Sequence, residues 1–364
     1  MFCKINILFH STDGSIRIIT NFVKEILKWN TIMANRAANP VLFGFDFQVN
    51  AAIVLMLENI KDMSSIRLEG AEDIEINLND GSCVLAQAKA VVKSSTDFTN
   101  VLSNLKKSIT SLSEAEHKTE AIKELIYITN TPNPFNENQL NPIFYGLSQR
   151  SYNSLPKHLK DKINRIISKI SNPLNISKFK IQILPFETDN NKERYKCIMD
   201  AIGDFIPKLG NISIAKDKLH QIWFNDIFRT GTRNASEIKL TKKDIIWPVI
   251  VLITQNVNYD EYEFEDTEVD EISRSYESII NTCSEKYEFV TKVLCAYNSF
   301  NANAKPSERK QLFIEKESNK FAFLFEGESV FLSNILQEKL LQIIVRNILN
   351  KRIQIDNIKN AVNL

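Results

Sequence analysis

A β-hairpin is predicted at residues 71–90, AEDIEINLNDGSCVLAQAKA, and this stretch limits the possible folds more than any other. Apolar and polar residues alternate through 65–78, with the period of two that is typical of a strand. The turn Asn79-Asp80-Gly81-Ser82 follows, and an Asp-Gly pair tolerates the positive φ angles that tight hairpins need. The returning run CVLAQAK is apolar at most positions, which indicates a central, buried strand. We therefore expect a sheet built around this hairpin.

Three polar side chains of the hairpin are candidates for a functional site. Asp73 is placed in the first strand, and Gln87 and Lys89 lie two residues apart in the second. Residues i and i+2 of a strand face the same side, so the hairpin can bring Asp73 alongside the other two. A carboxylate and an amide oxygen suit Mg²⁺, and a lysine stabilises negative charge that develops on a phosphate. The pattern indicates metal-dependent phosphodiester hydrolysis, and a structural ion pair is the alternative.

The rest of residues 40–215 alternates between helix and strand patterns. Helices are predicted from Phe43 onwards and over 98–116, 154–170 and 193–209, and strands over 124–130 and 178–186. Together with the hairpin, these elements predict the α/β class, with a mixed sheet of four or five strands flanked by helices.

Three further segments complete the predicted organisation. Residues 1–39 are an N-terminal extension, either a functional arm or the result of a mis-called start, with Met33 as a second plausible start. Residues 216–258 are predicted to be a helical connection in which Trp223 and Trp247 are core or interface anchors. Residues 259–364 are predicted to be a mainly helical partner-binding or oligomerisation domain. Their acidic run, Asp260 to Asp270, is interpreted as a solvated loop, with mimicry of DNA or a basic partner as the alternative.

The composition is that of a soluble protein. Lys and Arg number 45 against 44 Asp and Glu, so the net charge does not draw the whole chain to nucleic acid or to a membrane. The five cysteines and four histidines are scattered without a CxxC pair, which argues against structural zinc and fits a reducing compartment. No run is expected to approach the roughly 18 apolar residues of a membrane span, and no signal peptide is recognisable. We therefore expect a cytoplasmic protein that does not contact a membrane.

Five stretches, FGFDFQ, LEGAEDIEI, VLAQAK, LIYITNTPNPF and KIQILPF, carry a family resemblance. Their layout resembles the PD-(D/E)xK restriction-endonuclease fold, in a version where glutamine replaces the middle acid. It is most similar to the double-stranded DNA endonuclease domain of bacterial anti-phage effectors from CD-NTase-linked and Lamassu-like systems. The resemblance covers about residues 40–255 and rests on the combination of E-x-x-E-D, Q-x-K and a preceding G-x-x-x-Q helix.

The resemblance implies roles for individual residues. Asp73 would be the metal-binding acid, Gln87 the neutral second metal ligand and Lys89 the catalytic lysine. Gln48 matches a glutamine near the active site of related nucleases, and Glu69 matches the first acid of E-x-x-E-D. The implied cofactor is Mg²⁺ or Mn²⁺. Because an amide binds these cations more weakly than a carboxylate, one-metal and two-metal mechanisms stay open.

Simpler interpretations stand beside these roles. Gln48 is equally well a capping or core hydrogen-bonding residue, and Glu69 is equally well an exposed acid at a strand end. Glu72 flanks the site, and Glu58 is a further acid on the preceding helix that could turn towards it.

The helix predicted over 154–170 is strongly basic and is a candidate DNA contact. Cations on one surface can track phosphates, and a solvated helix face is the alternative. Lys157, Lys160 and Arg165 are the predicted contacts, with Lys162 and Lys169 on the same helix.

The predicted function is that of a metal-dependent double-stranded DNA endonuclease, the effector of an anti-phage system. The segment after the acidic run is short for a cyclic-oligonucleotide-sensing domain, so control by partners is expected instead. The resemblance implies an SMC-like or ABC-type ATPase, a small accessory subunit and a homo-oligomeric active form. The alternatives are an inactive DNA- or partner-binding module, a cyclic-oligonucleotide-controlled nuclease, and an RNA-cutting toxin.

Overall fold

The computed structural model describes residues 39–364 except 95, 188–189, 234–237, 256–265, 283–284, 302–304 and 326–332. The predicted N-terminal extension, with the second start at Met33, and most of the acidic run lie outside the described residues.

One mixed sheet of seven strands organises the described residues, in the order β5-β6-β4-β3-β2-β1-β7. Strands β3, β4 and β6 are parallel to one another, and the remaining neighbours are antiparallel. The strands are β1 (Met63–Leu68), β2 (Ile74–Leu78), β3 (Cys83–Lys89), β4 (Ile122–Thr129), β5 (Ser148–Ser151), β6 (Phe179–Ile183) and β7 (Leu240–Thr241).

Eleven α-helices are described, and they flank the sheet and form the C-terminal region. They are α1 (Asn39–Asn59), α2 (Val101–Lys118), α3 (Lys157–Ile167), α4 (Asn191–Phe205), α5 (Lys216–Gly231), α6 (Lys242–Thr254), α7 (Asp266–Thr282), α8 (Lys286–Ser299), α9 (Pro306–Glu317), α10 (Asn334–Asn350) and α11 (Arg352–Ala361). Short 3₁₀ segments lie at Pro142–Phe144, Tyr152–Ser154, Ile176–Lys178, Ile206–Leu209 and Ser318–Phe325. The predicted α/β class, with a mixed sheet, flanking helices and a helical C-terminal region, is confirmed at this level.

The sheet has more strands than the four or five predicted, because the single strand expected over 65–78 is two strands and because β5 and β7 lie where no strand was predicted. The chain reverses after Leu68, with Glu69 at a φ of 51° and the Glu69 N–H donating to the Asp73 carbonyl at 3.1 Å. A Cβ on Gly70 would lie 2.5 Å from the Glu75 carboxylate and 2.6 Å from Arg67 Nε, so a side chain there would require these two residues to shift. Asp73 therefore ends this loop and immediately precedes β2, instead of lying inside a strand.

Two apolar layers cover the two faces of the sheet. Helices α2 and α3 pack on the face that carries Leu85 and Tyr127. Helix α1 packs on the opposite face, together with α4, α5, α6 and the C-terminal helices. Trp223 and Trp247 are both buried in this second core, and the Trp223 indole N–H donates to the Ile245 carbonyl at 2.8 Å. The core continues across residues 215 and 258, and the domain boundaries placed there stay predictions.

Helix α1 corrects one expectation from composition. Its Pro40–Asn59 segment is long and apolar enough to cross a membrane by length and composition, whereas no such run was expected. Phe47, Val49, Ile53 and Leu55 on this helix are fully buried inside the protein. Burial in the core accounts for the apolar composition, because a helix that packs inside a protein can be as long and as apolar as one that spans a membrane.

Candidate functional site

Asp73, Gln87 and Lys89 converge on one carboxylate oxygen at the open end of the β2–β3 hairpin. Ile74 pairs with Ala86 in the antiparallel register, which places Asp73 beside the end of β3. Asp73 Oδ2 accepts hydrogen bonds from the Gln87 side-chain amide, from the Ala88 N–H at 2.9 Å and from Lys89 Nζ at 3.4 Å. The three predicted site residues therefore share one polar cluster.

The hairpin turn has the predicted chemistry. Gly81 has a φ of 85°, and its N–H donates to the Leu78 carbonyl at 3.2 Å. The Asp80 carboxylate accepts the Ser82 N–H at 2.9 Å and the Ser82 hydroxyl at 2.6 Å. Because this turn sets the pairing register of β2 and β3, it also sets the approach of Asp73 to Lys89.

The environment of the cluster favours a neutralised carboxylate. Burial raises the pKa of Asp73, and the Lys89 ammonium and the Ala88 N–H only partly oppose this effect. The Glu69 carboxylate raises the same pKa further. The side chains of Asp73 and Lys89 are 20% and 35% exposed, so solvent reaches both. Asp73 is therefore a group that gains from an added cation.

Gln48 and Glu69 lie beside the cluster and shape the loop before β2. Gln48 Nε2 donates to Glu69 Oε1 at 2.8 Å and to the Asp73 carbonyl at 2.9 Å. Gln48 is buried, whereas Glu69 is exposed at the positive-φ corner of the loop. The Gln48 amide thus fastens the loop to α1, as the hydrogen-bonding interpretation expected, and the roles implied by the resemblance stay predictions.

Glu72 was predicted to flank the site, and its carboxylate interacts with the cluster directly. It is 7% exposed and accepts a hydrogen bond from Ser111 Oγ of α2 at 2.7 Å. Burial raises the pKa of Glu72 to about 7, the neighbouring Asp73 carboxylate raises it further, and Lys89 lowers it. Glu72 and Asp73 therefore share the electrostatic influence of one lysine.

Thr129 and Asn130 support the end of β3 and were missed in the sequence. The Thr129 hydroxyl donates to the Lys89 carbonyl at 2.7 Å. The Asn130 amide accepts the Val91 N–H at 2.8 Å and donates to the Val91 and Phe186 carbonyls at 2.9 and 2.8 Å. Carboxyl ends of parallel strands are common ligand-binding edges. The position of two polar residues directly after the apolar run of β4 is therefore the sequence signal that could have indicated them.

Glu58 does not join the cluster. Gln182 Nε2 donates to Glu58 Oε1 at 2.9 Å, and Glu58 is exposed at the end of α1. Gln182 lies between Ile181 and Ile183, which face α2 and α3, so its own side chain points to the other face of the sheet. Gln87 lies on the α2 side, two residues from Leu85. The idea that Glu58 turns into the site is therefore not supported.

The basic helix α3 divides its cations between two sides. Lys157 is exposed, and Lys160 donates to the Asn153 carbonyl at 2.7 Å while lying over the Tyr152 ring. Arg165 lies instead on the side that faces α2. The three predicted DNA contacts therefore do not form one group.

The donor set fits a divalent cation that keeps several water ligands. Among the described residues, no group of three or more His, Cys, Asp or Glu side chains is arranged to hold a metal. Asp73 Oδ1 has no hydrogen-bond partner in that part of the chain, and neither has Gln87 Oε1. Mg²⁺ is commonly held by one or two protein oxygens together with water and substrate phosphates. One carboxylate and one amide oxygen are thus enough for a weak site of this kind.

Fold and cluster together define a mixed α/β protein with a carboxylate–amide–lysine cluster at the carboxyl ends of its central strands. A scan against protein-family models and searches of curated proteins and of solved structures found no match to this chain.

Proposed function

We propose that this chain is a metal-dependent endonuclease that hydrolyses phosphodiester bonds of double-stranded DNA, and that its sheet has the restriction-endonuclease-like arrangement. The observation that carries the proposal is the convergence of Asp73, Gln87 and Lys89 within one partly exposed cluster. Its position supports the proposal too, because ligands of open α/β sheets bind outside the carboxyl ends of the strands.

In the proposed hydrolysis a water oxygen bonds to phosphorus and one bond from phosphorus to a sugar oxygen breaks, and the cluster supplies groups that would hold the cation and stabilise the developing charge. Asp73 Oδ1 and Gln87 Oε1 would hold Mg²⁺ or Mn²⁺, and a bound cation of this kind polarises the scissile phosphate. The Lys89 ammonium donates to a phosphate oxygen and stabilises the charge that develops there. Asp73 Oδ2 and the Thr129 hydroxyl orient Lys89, and Gln48 holds the loop that carries Asp73.

We propose further that the nuclease is a cytoplasmic effector of an anti-phage system and acts as a homo-oligomer. Its partners would be an SMC-like or ABC-type ATPase and a small accessory subunit. The support is the family resemblance of residues 40–255. A neighbouring gene for an SMC-like ATPase would support this control, and a neighbouring nucleotide cyclase would favour cyclic-oligonucleotide control.

A second candidate function is a non-catalytic module that binds DNA or a protein partner. The observation that favours it is the saturation of Asp73 Oδ2, which already accepts three hydrogen bonds within the protein. A structural ion pair in an inactive domain would have the same contacts.

Plasmid cleavage separates the two candidates. The purified protein is incubated with supercoiled plasmid and Mg²⁺ or Mn²⁺, and then with EDTA, alone and with the products of the neighbouring genes. We expect metal-dependent nicking or linearisation that falls about a hundredfold or more in Lys89→Ala and in Asp73→Asn. A parallel reaction with RNA tests the toxin alternative.

Lys93→Ala is the matched control, since Lys93 is an exposed lysine four residues after Lys89. It should cleave at the wild-type rate. Absence of cleavage under all these conditions would remove the nuclease proposal and leave the binding module. Equal cleavage by all three variants would show that Asp73 and Lys89 do not carry the activity.

A further inference from the structure

An open groove of about 450 Å³ runs between α2 and α3. Its basic members come from both helices, and three isoleucine or leucine side chains form an apolar floor. The lining residues are Leu102, Lys106 and Thr110 of α2, Lys162, Arg165 and Ile166 of α3, and Lys169 and Ile170 just beyond α3.

All charged residues that line the groove are basic. It carries four cations, and none of its described lining residues is acidic. Lys162 is paired with Glu137, whereas Lys106, Arg165 and Lys169 are exposed and have no carboxylate partner in the part of the chain that the structure describes. Three unpaired positive charges attract a polyanion, and the apolar floor can pack against the uncharged parts of that ligand.

Three cations of α3 and of the turn that follows it form a stripe. Lys162 and Arg165 lie three residues apart on α3, and Lys169 follows four residues later, just beyond the end of the helix. At 1.5 Å per residue the stripe is on the order of 10 Å long. One strand of B-DNA carries a phosphate about every 3.4 Å along the axis, so the stripe faces about three phosphates.

The groove lies next to the candidate site. Thr110 lines the groove, and the following residue of α2, Ser111, donates to Glu72 at 2.7 Å. Glu72 is adjacent in the chain to Asp73, which pairs with Lys89 at 3.4 Å. A strand that lies in the groove therefore approaches the cluster that contains Asp73 and Lys89.

We infer that this groove binds the sugar-phosphate backbone of one strand of double-stranded DNA and leads it towards the candidate site. The inference rests on the proposed nuclease function for its substrate. Lys106, Arg165 and Lys169 contact phosphates, and Leu102, Ile166 and Ile170 pack against the deoxyriboses. Lys157 and Lys160 lie outside the groove, so of the predicted contacts the groove contains Arg165 alone.

The test measures binding without cleavage. Wild type and the triple variant Lys106→Gln, Arg165→Gln, Lys169→Gln are titrated against a short fluorescent DNA duplex in EDTA over a series of salt concentrations. We expect the triple variant to bind at least about tenfold more weakly at about 0.1 M salt. The slope of log K against log salt should become shallower by about 2 to 3, since each lost phosphate contact removes about 0.9.

The double variant Lys157→Gln, Lys160→Gln is the matched control, because both lysines lie on α3 outside the groove. It should bind within about twofold of wild type. The single variant Lys106→Gln should reduce the salt slope by about 1. It replaces the triple variant in this test if circular dichroism shows that the triple variant is misfolded.

Three results would overturn the inference: no duplex binding by wild type, an equal loss in the Lys157/Lys160 control, or equally strong competition by polyglutamate, which would indicate an acidic protein partner. Cleavage is measured separately on plasmid. Groove-dependent duplex binding without any metal-dependent cleavage would retain the groove and refute the nuclease.

Discussion

Lys89 Nζ lies 3.4 Å from Asp73 Oδ2, although 16 residues separate the two in the chain. The β2–β3 register and the turn at Gly81 bring the two side chains together, at a place where both are partly open to solvent. One geometry can therefore serve as a structural ion pair or as the core of a catalytic site. Because these two uses differ in energetics, stability and activity have to be measured on the same variants.

We predict that the Asp73–Lys89 pair contributes little to stability. In a double-mutant cycle with Asp73→Asn and Lys89→Met, the coupling free energy should be about 1 kcal/mol or less, because both side chains are reached by solvent. Urea unfolding of the four proteins gives this value. The Lys123–Asp62 pair, which is longer at 3.8 Å and more exposed, is the control and should show coupling near zero. Coupling above about 3 kcal/mol would identify a structural pair.

A second prediction concerns Gln87, which contacts Asp73 Oδ2 through its amide. Gln87→Glu places two carboxylates side by side, so the metal-free variant should be less stable than wild type by about 1–2 kcal/mol at neutral pH. A divalent cation would offset this repulsion. The Mg²⁺ or Mn²⁺ concentration at the midpoint of the metal-dependent rise in Tm should therefore fall about tenfold relative to wild type.

Gln149→Glu is the control for this experiment, since Gln149 is an exposed amide on β5. Its Tm should respond to metal no more than that of wild type. If Gln87→Glu is as insensitive to metal as Gln149→Glu, the cluster does not bind a divalent cation.

Much of the sheet could be predicted because its signals are local. The Asp80-Gly81 turn, the apolar run of β3 and the periodic apolar residues of α2 each specify an element within a few residues. The split between β1 and β2 could not be predicted in the same way. Apolar residues fall on even-numbered positions both before and after the loop, and the reversal depends on a positive φ at Glu69 and on the distant Gln48 amide.

Part of the candidate site, too, could be predicted from local sequence patterns, and part could not. Gln87 and Lys89 share a face because of strand periodicity, which any sequence reveals. The supports of the cluster depend on contacts between distant segments: Ser111 with Glu72 over 39 residues, and Thr129 with the Lys89 carbonyl over 40. Such contacts follow from the packing of α2 and β4 and leave no local pattern.

The third prediction concerns Lys242, whose buried ammonium joins two distant parts of the chain. Lys242 Nζ donates to the Lys61 carbonyl at 2.8 Å and to the Val362 and Asn363 carbonyls at 2.8 and 3.2 Å. Lys242→Met leaves these carbonyls without their donor, so the free energy of unfolding should fall by about 2–4 kcal/mol. Hydrogen exchange should report faster opening of α11.

Lys243→Met is the neighbouring control. Lys243 pairs with Glu288 at the surface, where an ion pair contributes about 1 kcal/mol or less. If the two variants are destabilised equally, the hydrogen bonds of Lys242 do not specifically stabilise the contact between the segment after α1 and the C-terminal residues.

The last prediction concerns the pH dependence that His220 confers. His220 Nε2 lies 2.8 Å from Asn50 Oδ1, and the Asn50 amide donates to the Asp46 carboxylate at 2.9 Å. Asn50 Oδ1 is therefore an acceptor, and His220 Nε2 carries the proton. Burial lowers the pKa of His220, and Asp217 only partly opposes this effect. Tyr195, whose hydroxyl donates to Asp46, is a further titratable group beside the ring.

Because the folded protein binds a proton at His220 less readily than the unfolded chain, the neutral form supplies its full stability above about pH 6.5. Stability should then decrease as the pH falls below this value, and His220→Gln should lack that decrease. Urea unfolding of both proteins between about pH 5 and pH 8 measures the difference, which should shrink towards acid pH. His158→Gln, at an exposed position on α3, is the matched control. If its pH profile relative to wild type is the same as that of His220→Gln, burial of His220 does not cause the effect.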